Sequence, residues 1–226
     1  MKPGPYLSLK AVAAVLLPLA LSGCARVPQG AVGPGLRRLI VEATVRGSIN
    51  PDYHYFFAIN ASGDAATGPV PVISPPWGNG WSAGTMTHYV YCHSSQPGYY
   101  GVYRVDDLAT LLTSTYIDRP IEYSNPYGGN LIRFVLDLDR LLPAGTPLPP
   151  EISVNFITTD VVPRDPNYRG RKLVDGLGPA GNSFVTIPLR TNRVFTNADS
   201  TTPETSGDVA DPDLDLVDWR IEVRLP

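Results

Sequence analysis

The chain has 226 residues, with 18 basic and 21 acidic side chains and a formal net charge of −3. A mildly acidic chain without a basic cluster lacks the electrostatic means to hold nucleic acid or anionic lipid head groups, which argues against both as partners. The 24 prolines and 21 glycines suit short strands joined by turns better than a helical protein, and Cys24 and Cys92 are the only cysteines.

Lys2 and Lys10 are the only charges before the apolar run Ala11 to Leu21. That run is about half of what a helix needs to cross a bilayer. A positive start, a short apolar stretch and small residues at its end mark a secretory signal. The run ends in Leu21-Ser22-Gly23-Cys24, which resembles the lipobox of bacterial lipoproteins. The resemblance implies that residues 1–23 are removed as a signal peptide and that Cys24, lipidated on sulfur, becomes the anchored N-terminus. The alternative is an ordinary signal peptide in which Cys24 is accidental. A single acyl chain holds a protein only marginally, at about 0.8 kcal/mol per buried methylene; lipoproteins of this type carry two or three. Ala25 stands where an aspartate favours retention at the inner membrane, so the outer membrane is expected in a bacterium with two. The expected location is thus the cell envelope, with the membrane as partner through the lipid. This resemblance covers the first two dozen residues; the remainder resembles uncharacterised envelope lipoproteins.

Loss of Lys2 and Lys10 with the signal would lower the net charge from −3 to −5. With Cys24 committed to lipid, Cys92 has no intramolecular partner, so the core alone must stabilise the domain. Residues 24–35 are rich in proline and glycine and read as a tether with a span of roughly 20 Å. A single domain over 36–226 follows, and its hydrophobic period is two. Alternation is visible at Leu39–Val45, Tyr53–Ile59, His88–Cys92, Tyr99–Val105, Ile132–Leu138, Ile152–Phe156, Phe184–Leu189 and Trp219–Leu225. About eight strands of this kind, with turn-rich connections, predict an all-β fold built as an antiparallel β-sandwich; a β-barrel is the alternative. One stretch departs from the period. Asp106 to Leu112 places Leu108, Leu111 and Leu112 on one helical face behind a capping Asp106, which predicts one short helix.

Two polar segments are weighed as calcium sites, and no other cofactor is expected. Asp165, Asn167 and Gly170 occupy positions one, three and six of a calcium loop, but Arg169 and Gly176 stand where carboxylates belong. The plainer reading is an Asx/Pro turn. Asp211, Asp213 and Asp215 have D-x-D-x-D spacing with Glu222 at position twelve, yet Leu216 replaces the glycine that the sharp turn needs. The plainer reading there is a strand entry with a charged outer face. Trp77 and Trp81 flank Gly-Asn-Gly, and Tyr99, Tyr100 and Tyr103 follow. Exposed, these rings could stack on sugars; buried, they plug the sandwich edge.

Catalytic signals are weaker. Cys92 and His93 are neighbours on a strand, so their side chains point to opposite faces and cannot pair as nucleophile and base. Cys92 shares a face with His88 and Val90 and reads as a buried thiol, while His54 points outward. No nucleophile elbow, zinc motif or phosphate loop is present. Three functions follow. The first is a lipid-anchored binding or structural module of the cell envelope, with a glycan or an envelope protein as the partner it could take. The second is a secreted hydrolase using carboxylates of the 160–178 or 208–218 loops, recognisable by convergence of those carboxylates in a concave pocket. The third is a subunit of an envelope complex, recognisable by an exposed apolar patch at Tyr53/Phe57 or Trp77/Trp81.

Overall fold

The computed structural model describes Met1, residues 36–142 and residues 145–226. The expected signal peptide, Cys24 and tether lie outside the described residues.

The described chain is almost entirely β. In order come β1 (Arg38–Val45), β2 (His54–Asn60), β3 (Pro69–Pro71), β4 (Ser82–Gly84), β5 (His88–Cys92), β6 (Tyr100–Val105) and β7 (Ser114–Asp118). Then follow β8 (Glu122–Tyr123), β9 (Leu131–Asp137), β10 (Glu151–Thr159), β11 (Val174–Gly176), β12 (Val185–Pro188), β13 (Arg193–Thr196) and β14 (Leu216–Arg224). The eight strands expected from alternation are β1, β2, β5, β6, β9, β10, β12 and β14; the six others are short. Sheet A runs β13-β14-β1-β9-β8 and sheet B runs β11-β10-β2-β5-β6-β7. β12 joins sheet B beside β10, and β3 and β4 form a separate hairpin. All strand pairs are antiparallel, and neither sheet closes on itself, so the architecture is a sandwich and not a barrel.

Register explains why the inner faces match. Val41 lies opposite Ile221 on one side and Phe134 on the other, while Ala43 lies between Trp219 and Ile132. A small alanine there leaves room for the indole. In sheet B, Phe57 lies between Val90 and Phe156. The two layers meet where Phe57 packs edge-on against Phe134 at 5.7 Å, an arrangement worth about 0.5–1.5 kcal/mol beyond area burial. Cys92 is buried in this core, as expected, and burial pushes its thiol up to about 12.

The outer faces differ. Sheet A presents Glu42 with Arg133 at 3.2 Å and Arg220 at 3.7 Å, a wet, charged surface of the kind alternation predicts. Sheet B departs from that expectation, since β2 and β10 are buried on both faces from their second residues onward. Phe56, Ala58 and Ile157 on its outer side pack with Trp81, Met86, Val105 and Leu111 in a second small core. The β3–β4 region and the segment after β10 supply this cover.

The helix expected over 106–112 is a single turn. Asp107, and not Asp106, accepts the backbone N–H groups of Ala109 and Thr110, and Leu111 closes the turn through its N–H to the Asp107 carbonyl at 2.8 Å. Leu111 has φ of 58°, a left-handed conformation that stops propagation. Leu111 alone of the three leucines is buried, so no apolar stripe exists to hold a longer helix.

Candidate functional site

Beside and beneath the edge of its cover, sheet B's outer face is aromatic. Even-numbered β2 residues His54 and Phe56 point outward, as do Tyr89 and Tyr91 of β5 and the adjacent His93, because neighbouring side chains alternate across a strand. His93 stacks on His54 at 4.8 Å, Tyr91 on Phe56 at 4.6 Å and Trp81 on Phe56 at 3.9 Å, with planes within 9° in each pair. Tyr89 meets Trp81 edge-on at 5.1 Å and stacks on Tyr103 at 4.9 Å. A cleft of about 250 Å³ opens beside these rings, lined by His54, Phe56, Trp81, Tyr89 and Tyr91, with Val161, Val162 and Arg164 from the segment after β10.

Local contacts fix the rings. His54 Nδ1 and the Tyr91 hydroxyl share a hydrogen bond of 2.6 Å, and the Tyr89 hydroxyl bonds Ser114 Oγ at 2.8 Å. Burial lowers the His54 pKa to about 4, helped by the charges of His93 and Arg164, so the imidazole is neutral at pH 7. Arg164 is exposed and has no carboxylate within ion-pair distance among the described residues. The cleft therefore combines flat apolar rings with one permanent positive charge and no acidic lining residue. Ring faces can stack on a sugar or planar ring, and a guanidinium can hold a carboxylate through two parallel hydrogen bonds.

Of the aromatic residues singled out in the sequence, Trp81 belongs to this cleft. Trp77 does not line it. Its Nε1 donates to the Tyr168 carbonyl at 3.0 Å, and Lys172 Nζ lies 5.5 Å from its ring. Lys172 in turn donates to the Val72 and Gly80 carbonyls, so Trp77 and Lys172 together pin the segment after β10 to the hairpin. Burial lowers the Lys172 pKa to about 8. Tyr100 is buried in the main core, and Tyr99 packs edge-on against Tyr127 at 5.0 Å. Tyr103 stacks on Tyr89, adjoining the cleft. Phe56, Tyr89, Tyr91 and Arg164 carry no motif in the sequence, and His54 reads there only as an outward-pointing side chain. The available signal was compositional: outward positions of β2 and β5 carry rings where those of β1 and β14 carry glutamate and arginine.

The acidic residues sort differently from their spacing. Asp165 accepts the Asn167 backbone N–H at 2.8 Å, an exposed Asx turn. Asp211 accepts the Tyr53 hydroxyl at 2.7 Å, and Asp213 accepts the Ser48 backbone N–H at 2.8 Å. Asp215 alone of the three turns inward. One carboxylate oxygen each from Asp175, Asp208 and Asp215 lie within 4.8 Å of one another. The carboxylates of the two loops thus converge, but Asp175 is 2% exposed and Asp215 is 0% exposed. Asp215 bonds the Arg46 guanidinium and the Gly207 N–H, and Asp175 accepts the Gly176 and Leu216 N–H groups at 2.8 Å each. Burial raises Asp175 to about 7. Glu204 rises to about 8, through burial and then the nearby Asp175. Burial and a hydrogen bond with Asp215 also raise Asp208. Either shared protons or a divalent cation can relieve such crowding chemically.

Comparison with protein-family models, with curated proteins and with solved structures found no match.

Proposed function

We propose that this chain is a lipid-anchored cell-envelope protein whose sandwich is a glycan-binding module, taking an acidic sugar ring into the aromatic cleft. The observation that carries this reading is a cleft lined by half-buried His54, Tyr89 and Tyr91, packed on buried Phe56 and Trp81, beside an arginine without an acidic partner among the described residues. Ordering costs little there, because packing and hydrogen bonds already hold the rings. A volume near 250 Å³ is just below the usual range of small-molecule sites and matches one ring better than a long ligand. An envelope protein as partner has less support. Phe57, Trp77 and Trp81 are buried and the Tyr53 hydroxyl is bonded to Asp211, so neither apolar patch considered from the sequence is exposed.

The hydrolase reading draws on one observation, the convergence of Asp175, Asp208 and Asp215. It ranks second because Asp175 and Asp215 are sealed from solvent and occupied by backbone N–H groups and Arg46.

Two measurements test the proposal. Titration of the full chain in detergent with glucuronic acid and with glucose compares ligands that differ by a carboxylate; the acid should bind at least tenfold more tightly, and Arg164→Gln should erase the difference. Cys24→Ser should abolish incorporation of labelled fatty acid and release the protein from the membrane fraction. Continued labelling of that variant would contradict the anchor.

A further inference from the structure

We propose a second ligand site, in the cleft between the free edges of the two sheets, shaped for an N-acetylated sugar. Among the described residues β12 pairs only with β10 and β13 only with β14, so each leaves one strand edge unpaired there. Between them opens a cleft of about 310 Å³, at the lower bound of small-molecule sites. Phe184 and Phe195 contribute apolar walls from opposite sheets, and Thr186, Thr196 and Thr202 contribute hydroxyls. Trp219 of β14 also lines it.

The observation that points to a ligand is Trp219 itself. Trp219 is 3% exposed, and its Nε1 has no hydrogen-bond acceptor among the described residues. Trp77, by contrast, satisfies its Nε1 with a backbone carbonyl. A buried N–H without a partner costs about 1–3 kcal/mol, and native structures rarely leave one in place without a reason. An acetamide carbonyl is an acceptor of suitable strength for an indole N–H. Threonine hydroxyls both donate and accept, matching sugar hydroxyls, while the phenyl rings match the acetyl methyl and the apolar ring face. Arg193, whose guanidinium lies 5.0 Å from the Phe195 ring, and Asp199, which accepts the Thr196 hydroxyl at 2.7 Å, also line the cleft. No residue lining this cleft lines the aromatic cleft, so the two sites are independent.

The test is a titration of the full chain in detergent with N-acetylglucosamine and, in parallel, with glucose. N-acetylglucosamine should bind in the millimolar range or tighter and at least tenfold better than glucose. Trp219→Phe keeps the ring and removes the N–H, and it should weaken N-acetylglucosamine at least tenfold. Phe195→Ala, at a half-buried wall position, should weaken it as well and serves if the first variant folds poorly. Tyr91→Ala, which alters the aromatic cleft alone, should leave this binding unchanged. Absence of binding would overturn the proposal, as would full affinity in both Trp219→Phe and Phe195→Ala. Loss of N-acetylglucosamine binding in Tyr91→Ala alone would place the sugar in the aromatic cleft and overturn it too.

Discussion

At Asp175, burial and two backbone N–H donors pull in opposite directions, and burial prevails, raising the carboxyl to about 7. Glu204 reaches about 8 for the same first reason. An acid whose folded pKa is raised holds its proton after the unfolded chain has lost it. Its stability contribution is therefore full below the unfolded value near 4 and declines as pH rises to the folded value. His54 and His88 act with the opposite sign. Burial lowers both to about 4, so the unfolded chain binds protons first and stability falls as pH drops from 6.5 towards 4. The two effects offset each other between pH 4 and 6.5; above 6.5 the carboxyls dominate until Lys172, lowered to about 8, begins to lose its proton and works against them. A decline in Tm on the order of 5 °C is expected between pH 6.5 and 8, and thermal melts across that range check it. Asp208→Asn, which removes a neighbouring charge, should shrink the decline. A rise in Tm on adding calcium at pH 8, absent from Asp208→Asn, would assign the neutralising role to a cation instead of protons.

Among the elements, the cover of sheet B decides where the cleft lies. Trp77 and Lys172 tie the segment after β10 to the β3–β4 hairpin, and that segment carries Arg164. Trp77→Ala removes a buried ring and its bond to Tyr168, with an expected cost of about 3 kcal/mol. Amide exchange should then accelerate over residues 161–173 while β2 and β5 stay protected; equal acceleration across both sheets would contradict a local pin. These contacts also mark what a sequence can and cannot disclose. Eight strands were legible because burial on one face writes itself as a period of two, as in Leu39, Val41, Ala43 and Val45. Trp77 and Lys172 are 95 residues apart, and nothing in either neighbourhood signals their meeting. The short helix was misread because i, i+3, i+4 leucines satisfy a helical pattern whether or not a partner surface exists, and Asp107 holds the turn locally. Asp215 was legible as part of a spaced acidic run, but its cluster partners Asp175 and Asp208 were joined to it by topology alone.

Across the domain, one sheet keeps a charged, wet outer face and the other turns aromatic rings outward. Glu42, Arg133 and Arg220 on sheet A form partly exposed ion pairs worth about 0–1 kcal/mol each, a solvated face without a pocket of rings. Sheet B concentrates its outward aromatic residues along β2, β5 and β6, beside a cationic side chain that nothing neutralises among the described residues. That asymmetry is the reason for placing recognition on sheet B, and it yields a comparison independent of how the chain is anchored. The most direct measurement is the affinity of the full chain for glucuronic acid against glucose, in the native protein, in Tyr91→Ala and in Arg164→Gln. The expected result is a preference for the acid of at least tenfold, about 1.4 kcal/mol, with Tyr91→Ala weakening both sugars and Arg164→Gln abolishing only the preference. Equal, weak binding of both sugars that neither substitution changes would contradict the aromatic cleft as the binding site.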